Sequence, residues 1–141
     1  RAIYELARRQ DEGPCKIGAV AEAQGIPVRF LENILNSLKS AGFVDSARGK
    51  DGGYFLRKAP DAITVGEVIR FVQGPLGPVV CSERGDEDDC DFYSSCVFRP
   101  LWDKARQALE QVYDGTTFAD LVSQSEHACH SAVCTNCGRK K

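Results

Sequence analysis

Histidine is nearly missing from these 141 residues: there are two, His127 and His130, close to the end of the chain. The body of the chain therefore holds no imidazole for a nucleophile–base pair, and an enzymatic site is not expected. A phosphate-cradling loop is missing too. The one glycine-rich stretch, "RGKDGGY", reads as a hairpin tip and not as the entry to a helix. No apolar run approaches membrane-spanning length, and no charged-then-apolar leader is seen, so a cytoplasmic protein with no membrane partner is expected. An excess of positive charge is also lacking. The net charge is −2, so any nucleic-acid binding must come from a local basic surface.

What remains is ordinary globular material, 43% hydrophobic and 27% charged, enough for one small core. Ala2, Ile3, Leu6 and Ala7 form an apolar stripe on a first helix, which "DEGP" breaks. Ile17, Val20 and Ala21 mark a second short helix ending near Gly25. Pro27 suits the first turn of a third, in which Phe30, Leu31, Ile34, Leu35 and Leu38 form an apolar face until Gly42. A short helix, a tight turn and a longer amphipathic helix are the outline of a helix-turn-helix.

The opposite face of that third helix carries Arg29, Glu32, Asn33 and Asn36, spaced i, i+3, i+4, i+7. Arginine can address guanine, asparagine adenine, and glutamate can accept from cytosine, so this face is a candidate reader of base edges. A plain solvated face would look the same. Next come two alternating segments, Phe43 to Ala47 and Tyr54 to Arg57, joined through Gly49, Gly52 and Gly53. A hairpin directly after a reading helix is a wing. Arg48 and Lys50 at its tip suit a narrow minor groove, or simply solubility.

Thr64 can cap a fourth helix that turns Val65, Val68, Ile69 and Val72 inward. Further on, Pro100 opens a helix in which Leu101, Ala105, Ala108 and Val112 recur at near-heptad spacing, flanked by Trp102 and Leu109. That stripe reads as a seam between two copies, since the earlier helices and wing already form a closed unit. A short helix "FADLVSQ" follows, capped by Thr116 or Thr117. The expected fold is mainly α with a small β-hairpin wing: a winged helix-turn-helix plus a long dimerisation helix. The expected division is 1–74 DNA-binding domain, 75–99 cysteine-rich loop, 100–124 dimerisation helix and short C-terminal helix, and 125–141 Cys/His-rich tail.

Seven cysteines are unevenly spread. Cys15 stands alone and reads as a small apolar residue. Cys81, Cys90 and Cys96 lie on "CSERGDEDDCDFYSSC", too acidic to pack as core. Cys129, Cys134 and Cys137 share the tail with both histidines, and Cys134-x2-Cys137 has metal-knuckle spacing. An odd count without a secretory leader argues for metal or redox chemistry over a disulfide scaffold.

Together, "FLENILNSLKSAGFV", "ARGKDGGY", "ITVGEVIRFVQGPLGPV", the cysteine loop and "LWDKARQALE" make the chain resemble the bacterial iron–sulfur cluster regulator family of winged-helix transcription factors. The resemblance runs from Arg1 to about Ser123. It implies a homodimer on a partly palindromic double-stranded DNA operator. It makes Glu32 a base reader, Arg48 the minor-groove arginine, and Cys81, Cys90 and Cys96 the ligands of a [2Fe-2S] or [4Fe-4S] cluster. Such a site would sense redox state, nitric oxide or iron, because a weaker oxygen or nitrogen ligand leaves one iron exposed. Losing the cluster would free the loop and change how the dimer fits its two half-sites.

Pro27 and Arg29 stand where the cluster-biogenesis member has small hydroxyl residues early in its reading helix, so a different preferred operator is expected, and the cysteine site departs in two further places. Eight residues separate Cys81 from Cys90, longer than the family's usual interval, and Arg99, which cannot ligate, stands where the cluster-biogenesis member has a histidine. The nitric-oxide-sensing member takes a ligand from near the start of its first helix, so a fourth ligand is expected before Arg1, from residues preceding this chain. Four other readings stay open: zinc on the loop cysteines, a thiol–disulfide switch, a family member without metal, and a winged-helix module that binds a protein. The acidic run Asp86 to Asp89 would lower a cluster's reduction potential. The tail would bind zinc, lend a ligand, or carry free thiols.

Overall fold

A computed structural model describes residues 1–79, 90 and 92–130. By its internal contacts the chain divides into one unit of Arg1–Ile63 with Thr117–Lys141, and a second of Thr64–Thr116.

The first unit begins with α1 (Ala2–Arg8), followed by α2 (Ile17–Gln24) and α3 (Val28–Ser40). Ala2, Ile3, Leu6 and Ala7 of α1, Val20 and Ala21 of α2, and Leu31, Leu35 and Leu38 of α3 are all buried, which is what their helical spacing requires. Gly25 ends α2 in the left-handed region, φ 60°, where a side chain would be strained. Ile26 N–H then returns to Ala21 C=O at 2.9 Å, so the turn into α3 is tight. Pro27 sits at the cap position of α3, just ahead of its first turn. Gly42, φ 79°, ends the exit from α3, and Phe43 N–H closes on Leu38 C=O.

The hairpin is β1 (Val44–Ala47) and β2 (Gly53–Leu56), antiparallel, with Val44 opposite Leu56 and Ala47 opposite Gly53. Each strand starts one residue away from the boundary expected from alternation, the usual scatter at strand ends. A one-residue bridge from Cys15 to Tyr54 lies on the other edge of β2. The unit is completed by α6 (Phe118–His130), whose Phe118 is buried and whose backbone N–H meets Ile63 C=O at 3.0 Å. Thr117 is its cap: the hydroxyl accepts from Asp120 N–H at 3.1 Å, and the Asp120 carboxylate accepts from Thr117 N–H at 2.8 Å. α6 is longer than "FADLVSQ", running through residues that show no apolar period in the sequence.

The second unit holds α4 (Val65–Gln73), a single turn at Tyr93–Ser95, and α5 (Arg99–Asp114). α4 starts at Thr64, the expected cap, and Glu67 makes that cap reciprocal. Glu67 N–H donates to Thr64 Oγ1, and Thr64 N–H donates to Glu67 Oε2. Arg70 of α4 and Asp114 of α5 pair, with Nη1 to Oδ1 at 2.8 Å, directly above Gly66.

Two expectations fail. Phe30 is 60% exposed and Val72 67% exposed, although both were assigned inward. Phe30 lies about 100° around α3 from Leu31, off the Leu31–Leu35–Leu38 line, and so clears the core. Val72 lies in the last turn of α4, whereas Val65, Val68 and Ile69, earlier in the helix, are half-buried.

Candidate nucleic-acid interface and thiol site

Arg29, Glu32, Asn33 and Asn36 are all exposed on α3, opposite the buried leucines. The helix is anchored behind them. Ser37 and Ser40 hydroxyls donate to the Asn33 and Asn36 carbonyls, at 3.1 and 3.0 Å, so these serines occupy their own turn and leave the asparagine amides free of them. At its C-terminal end Lys39 Nζ meets Asp45 Oδ1 at 2.9 Å and Ser46 Oγ at 2.6 Å. That pairing ties the reading helix to β1, and it holds the half-buried Asp45 carboxyl below its ordinary pKa.

Arg48 and Lys50 are exposed at the wing tip, where Gly49 takes φ 111° and Gly52 N–H closes on Gly49 C=O at 3.1 Å. Just below the tip, β2 is fixed by the Cys15–Tyr54 rung. Gly53 is essential to that approach, because a Cβ there would collide with the Cys15 backbone. Helix and wing thus belong to one rigid unit that presents six polar or cationic side chains.

Sequence reasoning missed Glu5. It is 1% exposed, and its carboxylate accepts from Arg8 Nη2 at 2.7 Å, Arg9 Nε at 2.6 Å and Gln24 Nε2 at 2.7 Å. Burial pushes this carboxyl up, but the hydrogen bonds from Arg8, Arg9 and Gln24 together outweigh it and hold it below the usual range. The network joins α1 to the last residue of α2, and so sets the helix that precedes the reading helix. Arginines three and four residues after Glu5 were the available signal.

Of the three loop cysteines, Cys81 lies outside the described residues. Cys90 and Cys96 are free, half-buried thiols on either side of the Tyr93–Ser95 turn. Tyr93 is buried and donates its N–H to Cys90 C=O at 2.9 Å. Arg99 N–H reaches Cys96 C=O at 3.3 Å, and the Arg99 guanidinium lies 4.0 Å above the Tyr93 ring. Arg99 therefore has a structural place: it clamps the turn between the two thiols. Thiolate is the donor type that iron–sulfur clusters take, so these two residues fit one. Among the described residues no group of three His, Cys, Asp or Glu side chains gathers as a metal site.

Cys15 is buried, its thiol pushed up by burial and donating to Gly13 C=O at 3.7 Å, which is the behaviour of an apolar core residue. His127, Cys129 and His130 fall on the last turns of α6, and Cys134 and Cys137 lie outside the described residues. Along α5 no residue is buried, and the stripe residues Leu101 and Val112 are 54% and 60% exposed within the chain. Among the described residues no helix is long and apolar enough to cross a membrane.

A trihelical unit with an antiparallel wing after its third helix is a winged helix-turn-helix, a DNA-binding fold. Residues 1–124 match the family described as Rrf2, iron-dependent transcriptional regulator, and the chain belongs to that family. It is 38% identical over 124 residues to the HTH-type transcriptional regulator CymR of Bacillus subtilis, covering 88% of this chain and 83% of CymR. The solved structure of that protein, described as the global cysteine regulator, superposes with a TM-score of 0.71 at 37% identity, covering 86% of this chain and 88% of that one. The regulator IscR of Erwinia tasmaniensis is 33% identical over 125 residues, covering 89% and 74% of the two chains. The structure of IscR from T. potens gives a TM-score of 0.72 at 34% identity, covering 90% and 82%. The chain is thus similar to transcription regulators over nearly all of its described length.

Proposed function

We propose that this regulator binds its operator as a homodimer and that an iron–sulfur cluster on Cys81, Cys90 and Cys96 controls the binding. Arg29, Glu32, Asn33 and Asn36 read base edges in the major groove, and Arg48 and Lys50 enter the flanking minor groove. The paired copy docks along the Leu101–Ala105–Ala108–Val112 stripe of α5. The observation that carries the cluster reading is the Cys90–Cys96 turn, where two free, half-buried thiols are held on either side of a buried tyrosine. When bound, the cluster supplies a redox- and ligand-sensitive centre. Arg99 cannot ligate it, so a fourth ligand comes from elsewhere.

A second reading is a cluster-free regulator that switches through its thiols. It is favoured by the similarity to CymR and by Arg99 in the place of a ligating histidine. Operator binding tests the DNA half of both readings. On a duplex selected in vitro by the full chain, Arg48→Ala is expected to weaken binding and flatten its salt dependence, and Glu32→Ala to relax base preference. Unchanged binding by both variants would move the DNA contact off Glu32 and Arg48, and a chain that selects no duplex would make the winged helix a protein-binding module instead.

A further inference from the structure

Phe30 and Val28 are large apolar side chains in the first turn of α3, 60% and 48% exposed. Nothing in their own unit covers them to the degree that Leu31, Leu35 and Leu38 are covered. Phe30 stands one turn before Asn33 and one residue after Arg29, so it continues the exposed face assigned to base reading. A phenylalanine exposed there carries apolar area that a bound surface would remove from water.

We infer that Phe30 is a specificity-determining residue that packs against the C5-methyl group of a thymine in the operator. This rests on the reading of α3 as the DNA-contacting helix. Three observations converge. The first turn of a recognition helix is the part that reaches base edges in helix-turn-helix complexes. The major groove offers one apolar feature, the thymine methyl, and an aromatic or aliphatic side chain is its complement. The polar neighbours Arg29, Glu32 and Asn33 are all exposed around Phe30, and they supply hydrogen-bonding groups that a protein surface burying Phe30 would have to desolvate. Val28 lies about 200° around the helix from Phe30 and takes no part in this contact.

Uracil differs from thymine only by that methyl group, so it isolates the contact. The full chain first selects its duplex from random-sequence DNA. Each thymine of a half-site is then replaced singly by uracil, and affinities are read by fluorescence anisotropy. One or two thymines per half-site are expected to lose about fourfold in affinity on losing the methyl, the worth of one buried methyl-sized group. Phe30→Ala should bind the thymine and uracil duplexes equally, whereas Phe30→Leu should keep most of the difference. Uracil sensitivity that persists in Phe30→Ala would overturn the inference. So would a wild-type chain indifferent to every uracil, or Phe30→Ala protein that melts several degrees lower or changes its oligomeric mass, either of which would place Phe30 in a protein contact. A chain that selects no duplex at all would instead remove the DNA reading beneath it.

Discussion

Cys15 and Tyr54 exchange both of their backbone hydrogen bonds, each N–H to C=O at 2.8 Å. This single rung fastens the tip side of β2 to the segment that leads into α2. It exists because residue 53 has no Cβ. Gly53→Ala puts a methyl group into rigid backbone, which no rotamer change relieves. It is expected to lower stability by about 1–3 kcal/mol, as overpacking does, and to weaken operator binding further by moving Arg48. Denaturant unfolding at constant m checks the first, and anisotropy on a selected duplex the second. Unchanged stability would mean that the rung contributes little.

Glu5 gives the fold a pH dependence with a definite sign. Its folded carboxyl is held below the ordinary value, so the unfolded chain binds more protons in acid. Its stabilisation is complete above the unfolded value of about 4.3 and disappears as pH falls through the folded value. Glu5→Gln is expected to cost about 3 kcal/mol at neutral pH, because it removes the charge facing two arginines. It should also flatten the acid limb of the melting-temperature profile. Parallel wild-type and variant profiles below pH 5 would rule out Glu5 as the source.

Gly66→Ala is a contrasting case. The added Cβ meets the Asp114 carboxylate and, at 3.1 Å, the end of Arg70, both flexible and part-exposed. A surface ion pair contributes about 0–1 kcal/mol, and alanine is favoured over glycine within a helix by up to about 1 kcal/mol. The two effects nearly cancel, and the net change should stay within about 1 kcal/mol. A larger loss in a thermal melt would show that the Arg70–Asp114 pair is more than a surface contact.

The α5 stripe predicts an assembly effect without a folding effect. Leu101→Glu together with Val112→Glu places charge on residues already exposed within the chain, so secondary structure should persist. Sedimentation equilibrium should show the mass halved relative to wild type. An intact dimer would locate the interface elsewhere.

Much of the reading unit was legible in the sequence because its signals are local. The leucines of α3 follow one helical line, and the glycines of the wing tip mark a turn; in the second unit Thr64 marks the start of α4. Phe30 was misassigned because an apolar residue beside a core line is indistinguishable from a core residue until its neighbours are placed. The Glu5–Gln24 contact and the Cys15–Tyr54 rung were invisible for a related reason: they join residues 19 and 39 positions apart, respectively. The Arg99–Tyr93 clamp was equally hidden. Sequence showed only that Arg99 could not be a ligand, and its position over the ring shows what it does instead. The thiol site was legible as a set of residue types, but acidic loop residues carry no period from which geometry could be read.

Arg99 also yields a prediction. Arg99→Ala removes the clamp but no thiol, so it should speed the modification of Cys90 and Cys96 by iodoacetamide in metal-free protein, read by peptide mass spectrometry. Equal rates in variant and wild type would show that the turn holds itself.

The central claim, a cluster on the three loop cysteines, is tested most directly by measuring iron and acid-labile sulfide per monomer, in full-length protein purified without oxygen. The account predicts comparable amounts of both, and loss of both in Cys90→Ala. Protein with intact thiols that binds its selected duplex yet holds neither element would contradict it, and would assign the same cysteines to a thiol switch.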